Sequence, residues 1–120
     1  MKAGIRSNVL GALCLAVLIG AGAPDAPVAD AAMRGDVDAV RQLLREGADV
    51  NAAQGDGMSA LHWAAEHGDP ELTEMLLYAG ATIDVVTRIG EYTPLHIASR
   101  NGVSEVVSAL LAAGADVGAT

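Results

Sequence analysis

The side chains in this chain that could do chemistry are few, and their spacing is the first clue to their use. His62 and His96 stand 34 residues apart inside two related hexapeptides, Ser59-Ala60-Leu61-His62-Trp63-Ala64 and Thr93-Pro94-Leu95-His96-Ile97-Ala98. Two imidazoles could form a metal pair or an acid–base pair. Asp56, Ser59 and His62 outline a nucleophile set, and Gly55-Asp56-Gly57 outlines a phosphate loop. Neither outline fills in. No G-x-S-x-G elbow strains the serine, and no lysine follows the glycines. A third histidine, His67, stands beside Glu66, and the only cysteine is Cys14. No catalytic residue, metal ligand or cofactor is assigned.

The hexapeptides themselves predict helix starts. Thr93 is a residue that caps a helix by accepting a backbone N–H of the first turn, and Pro94 suits the first helical position. Ser59 can cap in the same way, with Ala60 in place of the proline. Behind each helix pair the glycines keep a period. Gly35, Gly68 and Gly102 lie 33 and then 34 residues apart, as do Gly47, Gly80 and Gly114. Each closes a helical stretch.

Helices are expected at 28–33 and 37–45, at 59–67 and 70–78, and at 93–101 and 104–112, with repeats at about 28–54, 55–87 and 88–120. Val40, Leu43 and Leu44, then Leu72, Met75, Leu76 and Leu77, then Val106, Val107, Leu110 and Leu111 supply the buried stripes. Helices this short depend on stacking against their neighbours. The connections turn near Gly55-Asp56-Gly57 and near Arg88-Ile89-Gly90. The second carries the additional residue of the 34-residue spacing, around Glu91-Tyr92.

The hexapeptides, the Gly-Ala-Asp-Val runs at Gly47–Val50 and Gly114–Val117, and Gly80-Ala81 together resemble the ankyrin repeat family over residues 27–120. Departures are Ala60 for proline, Thr82 for aspartate and Gly118 for the finger asparagine. The resemblance implies an all-α solenoid of about three helix-turn-helix repeats with β-hairpin-like finger loops. It implies that His62 and His96 hydrogen-bond backbone in the turns between repeats. It also implies a concave binding face of finger tips and first helices. By position, that face comprises Met33, Arg34, Asp56, Met58, Glu66, His67, Arg88, Ile89, Glu91, Tyr92, Arg100 and Asn101. Met58 and Tyr92 are the expected anchors, and Trp63 is expected to pack.

The first 23 residues read as a signal peptide, with Lys2 and Arg6 ahead of the apolar run Val9–Ile19 and small residues at Ala21-Gly22-Ala23. The run is shorter than the ~20 residues of a membrane-spanning helix. Pro24 disfavours cutting after Ala23, so cleavage after Ala21 or a retained N-terminal anchor are the alternatives. Residues 24–27 read as a linker. The chain has 120 residues, no Phe and a formal charge of −8. Without Lys2 and Arg6, five cations face 15 acids. Such a surface excludes nucleic acid and disfavours anionic lipid.

The expected role is a non-catalytic protein-binding module in the bacterial periplasm with a basic or mixed-polarity partner. A structural accessory domain held by an uncleaved N-terminus is the second reading, and a small hydrolase the remotest. The outer side of the last helix is expected to leave Val106 and Ala109 uncovered for a partner or a second copy, unless the chain is a piece of a longer array.

Overall fold

A computed structural model describes residues 26–115; the segment read as a signal peptide (residues 1–23) and the last five residues lie outside them. Six helices form three antiparallel pairs: α1 (Pro27–Met33) with α2 (Val37–Arg45), α3 (Ala60–His67) with α4 (Pro70–Tyr78), and α5 (Pro94–Asn101) with α6 (Ser104–Ala112). No strand occurs among the described residues.

Local chemistry sets the helix boundaries. Asp36, Ser59, Asp69 and Thr93 each accept a first-turn backbone N–H with the side chain. Proline takes the first turn of α1, α4 and α5, where no donor is lost. Pro27 therefore belongs to α1 and not to the linker. Gly68 and Gly102 close α3 and α5 in the left-handed conformation, with φ of 64° and 75°.

The pairs stack in one direction. First helices pack on first helices, α1 on α3 and α3 on α5, and α4 packs on α6. Alanine makes the first stack close: Ala29, Ala31, Ala32, Ala60, Ala64, Ala65 and Ala98 are buried, so backbones approach without bulky side chains between them. Leu61, Leu72, Leu76 and Leu110, with Val28, Val40 and Val106, fill the space toward the second helices. Each such side chain contributes about 1.5–3 kcal/mol by leaving water.

Two expectations about the last helix are corrected. Val106 is fully buried, because it and Leu110 lie four apart on the stripe facing the core. Leu111 was assigned to that stripe but is 41% exposed, one position off it. Leu43, Leu44, Met75, Leu77 and Val107 pack only partly buried against the core.

The fingers differ from paired hairpins. The first is closed by Gln54 N–H donating to the Met58 carbonyl at 2.9 Å, the second by Thr87 N–H donating to the Tyr92 carbonyl at 3.0 Å. Between them, Arg88 N–H donates to the Asp56 carbonyl at 2.9 Å. These are tight turns leaning on one another, too short for a strand ladder. The additional residue of the second finger is Glu91, which takes a left-handed φ of 52°.

Candidate functional site

His62 is the hinge between the helices and the finger side. Ser59 N–H donates to its Nδ1 at 3.0 Å, so that nitrogen is an acceptor and the proton sits on Nε2. Nε2–H then donates to the Tyr92 carbonyl at 2.8 Å, thirty residues along the chain. One ring thus closes the cap of α3 and holds the second finger against it. Ser59 is 3% exposed and accepts the His62 backbone N–H at 3.4 Å. Burial lowers the His62 pKa from its ordinary 6.5, against the upward pull of the Tyr92 and Val85 carbonyls and the Asp56 charge. The neutral ring is therefore the folded form.

His96 repeats the motif one layer on. Thr93 N–H donates to its Nδ1 at 2.9 Å, and its ring meets the edge of Tyr92 at 6.3 Å between centroids. Each histidine serves its own helix cap. Among the described residues no three His, Cys, Asp or Glu side chains converge on a metal position.

Six of the side chains that the sequence assigned to a partner come together. Asp56, Met58, Glu66, Ile89, Tyr92 and Arg100 line one open cleft of about 220 Å³, with Thr87 and Ile97 completing it. Its wall is held in place from several sides. Arg100 bonds Glu66 at 3.1 Å, linking α5 to α3, and its guanidinium lies 5.6 Å over the Tyr92 ring. The Thr87 hydroxyl donates to the Ile89 carbonyl at 2.8 Å and accepts the Tyr92 N–H at 3.0 Å. Ile89 is left 83% exposed and Tyr92 44% exposed.

The other predicted residues are placed elsewhere. Arg34, Arg88 and Glu91 are exposed but do not line the cleft. Met33 lies one repeat away, beside Gln54. His67 and Asn101, at equivalent positions, are exposed and do equivalent structural work. His67 Nε2 donates to the Met33 carbonyl at 2.8 Å. Asn101 Nδ2 donates to the Ala65 and Glu66 carbonyls at 3.3 and 3.0 Å. Each bonds the end of the preceding first helix, where the last carbonyls are short of intrahelical donors.

Trp63 is half-buried, packs against the core and donates from Nε1 to Gln54 Oε1 at 2.9 Å. Sequence reasoning passed over Gln54 and Thr87, although a threonine ahead of a glycine turn is a known backbone-bonding signal. It also passed over Tyr78, 97% exposed and off the Leu72–Leu76 stripe of α4.

The family model for ankyrin repeats in three copies matches residues 26–120. The chain belongs to the ankyrin repeat family. Among its relatives, cyclin-dependent kinase 4 inhibitor B of Rattus norvegicus is 37% identical over 94 residues, covering 78% of this chain and 72% of that protein. Ankyrin repeat and SOCS box protein 16 of Homo sapiens is 39% identical over 92 residues, covering 77% of this chain and 20% of the relative. A Drosophila melanogaster palmitoyltransferase is 38% identical over 89 residues, covering 74% of this chain and 14% of the enzyme. The chain thus matches only a small segment of the two larger relatives. Ankyrin repeats are protein-interaction modules, and residues 26–120 of this chain are such repeats.

Proposed function

We propose that this ankyrin stack holds a partner protein on its finger side, with the Met58–Ile89–Tyr92 cleft as the centre of contact, and does no chemistry of its own. The observation that carries the reading is Ile89. A large aliphatic side chain stands 83% exposed at a turn whose backbone is fixed by Thr87, beside an aromatic fixed by Arg100. Exposed apolar side chains grouped on a rigid frame with a polar rim are the usual mark of a docking surface. The Ser59 and His62 side chains that a hydrolase reading requires are engaged in the α3 cap, which supports a non-catalytic role.

A photo-crosslinking residue at position 89, expressed in intact cells, tests this. A discrete protein adduct is expected from position 89, lost in the Tyr92→Ala background. Position 38 on α2, whose carboxylate is 93% exposed, serves as the control. The same adducts from both positions would sink the reading.

The compartment we propose is the bacterial periplasm, supported by Lys2, Arg6 and the apolar run Val9–Ile19. Among the described residues no helix is long and apolar enough to cross a membrane. Mass spectrometry of the native N-terminus should find a start after residue 21 or 23. An intact Met1 in the membrane fraction would favour the anchored accessory domain instead.

A further inference from the structure

We infer that the cleft receives an apolar side chain flanked by Lys or Arg on an exposed segment of the partner protein, an inference that rests on the docking face proposed above. Three observations select this occupant. At about 220 Å³ the cleft is smaller than the ~300–1,000 Å³ of small-molecule pockets, and it suits one large side chain. Its floor and walls, Met58, Ile89, Tyr92 and Ile97, are apolar or aromatic. Its charges are unevenly satisfied. Arg100, the one cation among the lining residues, is engaged by Glu66 and by the Tyr92 ring. Asp56 uses one oxygen to accept the Met58 N–H at 3.0 Å, and no ion pair found among the described residues includes it.

An incoming carboxylate or phosphate would have to share Arg100 with Glu66 and would face Asp56. An incoming guanidinium or ammonium meets Asp56 directly. The formal charge of −8 acts in the same direction, drawing cationic segments toward the surface and opposing a second copy of the chain.

Fluorescence anisotropy with three labelled 12-residue peptides tests the inference on the full chain. One carries Arg-Leu-Leu-Arg in a Gly/Ser background, the second Glu-Leu-Leu-Glu, the third Arg-Ser-Ser-Arg. The first should bind about tenfold more tightly than either other. Asp56→Asn keeps the oxygen that accepts the Met58 N–H and removes the charge. It should weaken the Arg-Leu-Leu-Arg peptide about three- to tenfold and flatten its salt dependence, with an unchanged thermal midpoint as the folding control.

Equal binding of the acidic peptide, or no effect of Asp56→Asn, overturns the inference. If Tyr92→Ala still weakens peptide binding in that case, the docking face stands and only the cationic preference falls. Should none of the peptides bind, or Tyr92→Ala leave all of them unchanged, both fall together.

Discussion

The two fingers share a plan and differ by one residue in length, and the residue at their first position divides their work. In the first, Gln54 turns outward from its own turn to bond Asp30 at 2.8 Å and Trp63 at 2.9 Å, so the loop is tied to α1 and α3. In the second, Thr87 takes the equivalent position but turns inward, holding the Ile89 carbonyl and the Tyr92 N–H of its own loop. The first finger is fixed by its neighbours and supports the stack. The second is fixed largely by its own bonds, with His62 on the Tyr92 carbonyl, the Arg88 N–H on Asp56 of the first finger and Arg100 and His96 against the Tyr92 ring, and it presents Ile89 to solvent. A loop can display apolar residues rigidly when its backbone bonds are met internally.

The largest expected effect lies where the fingers meet. His62→Ala removes the acceptor of the Ser59 N–H, the donor to the Tyr92 carbonyl and a fully buried ring. A loss of about 3–4 kcal/mol in urea unfolding is expected, against about 1–2 kcal/mol for His96→Ala, whose ring is only half-buried. Equal losses would break the claim that His62 carries more of the stack's stability than its counterpart one layer on.

The same histidine gives a pH limb. Its folded pKa lies below the 6.5 of the free group, so the unfolded chain binds the proton more readily. Its contribution is complete above about 6.5 and is lost as pH falls from there toward the folded value. Urea midpoints at pH 7.5 and 5.5 should therefore differ more in the wild type than in His62→Ala. Asp56, the charge that pulls the ring's pKa upward, is kept in both proteins.

The turn glycines sharpen the contrast. A Cβ on Gly57 would meet backbone, Arg88 N at 2.9 Å and Thr87 Cα at 3.1 Å, at a φ of +87°. Gly57→Ala should cost about 2–3 kcal/mol, because the fingers cannot separate cheaply. A Cβ on Gly90 would first meet the Tyr92 ring, at 2.4 Å, a side chain that can swing aside where backbone cannot. Gly90→Ala should cost about 1 kcal/mol of stability, from its φ of +84°, and proportionally more partner affinity. Tyr92→Ala isolates the second quantity. It keeps the carbonyl that His62 grips, so stability should hardly move while binding weakens by about 1–3 kcal/mol in titration calorimetry.

Helices and layer order were legible because their signals are local and repeated. Ser59 and Thr93 cap where their hexapeptides predict, and the 34-residue spacing located the longer finger. Six residues of the cleft were legible by register alone. What escaped depends on contacts between repeats. His67 and Asn101 read as free surface, yet each reaches back to the preceding helix, because a polar side chain one layer on is the nearest donor for an unpaired carbonyl. Val106 read both as buried stripe and as uncovered flank, because one helix in isolation does not say which of two apolar flanks its neighbour takes. Gln54 was passed over because glutamine carries no turn signal, and its side-chain partners Asp30, Met33 and Trp63 lie 24, 21 and 9 residues away.

The smallest expected effect tests the inserted residue itself. Glu91 holds a φ of 52°, a region that costs a non-glycine residue about 1 kcal/mol. Glycine removes that strain but makes the unfolded chain more flexible, which returns roughly half of the gain. Glu91→Gly should therefore stabilise by about 0.5 kcal/mol, a rise of roughly 2–4 °C in thermal midpoint for a domain of this size. Affinity should move the other way, about twofold weaker, because a glycine tip holds Ile89 and Tyr92 less firmly before contact. A variant that loses stability instead would show that the Glu91 side chain, and not only the Thr87 bonds, keeps the second finger in shape.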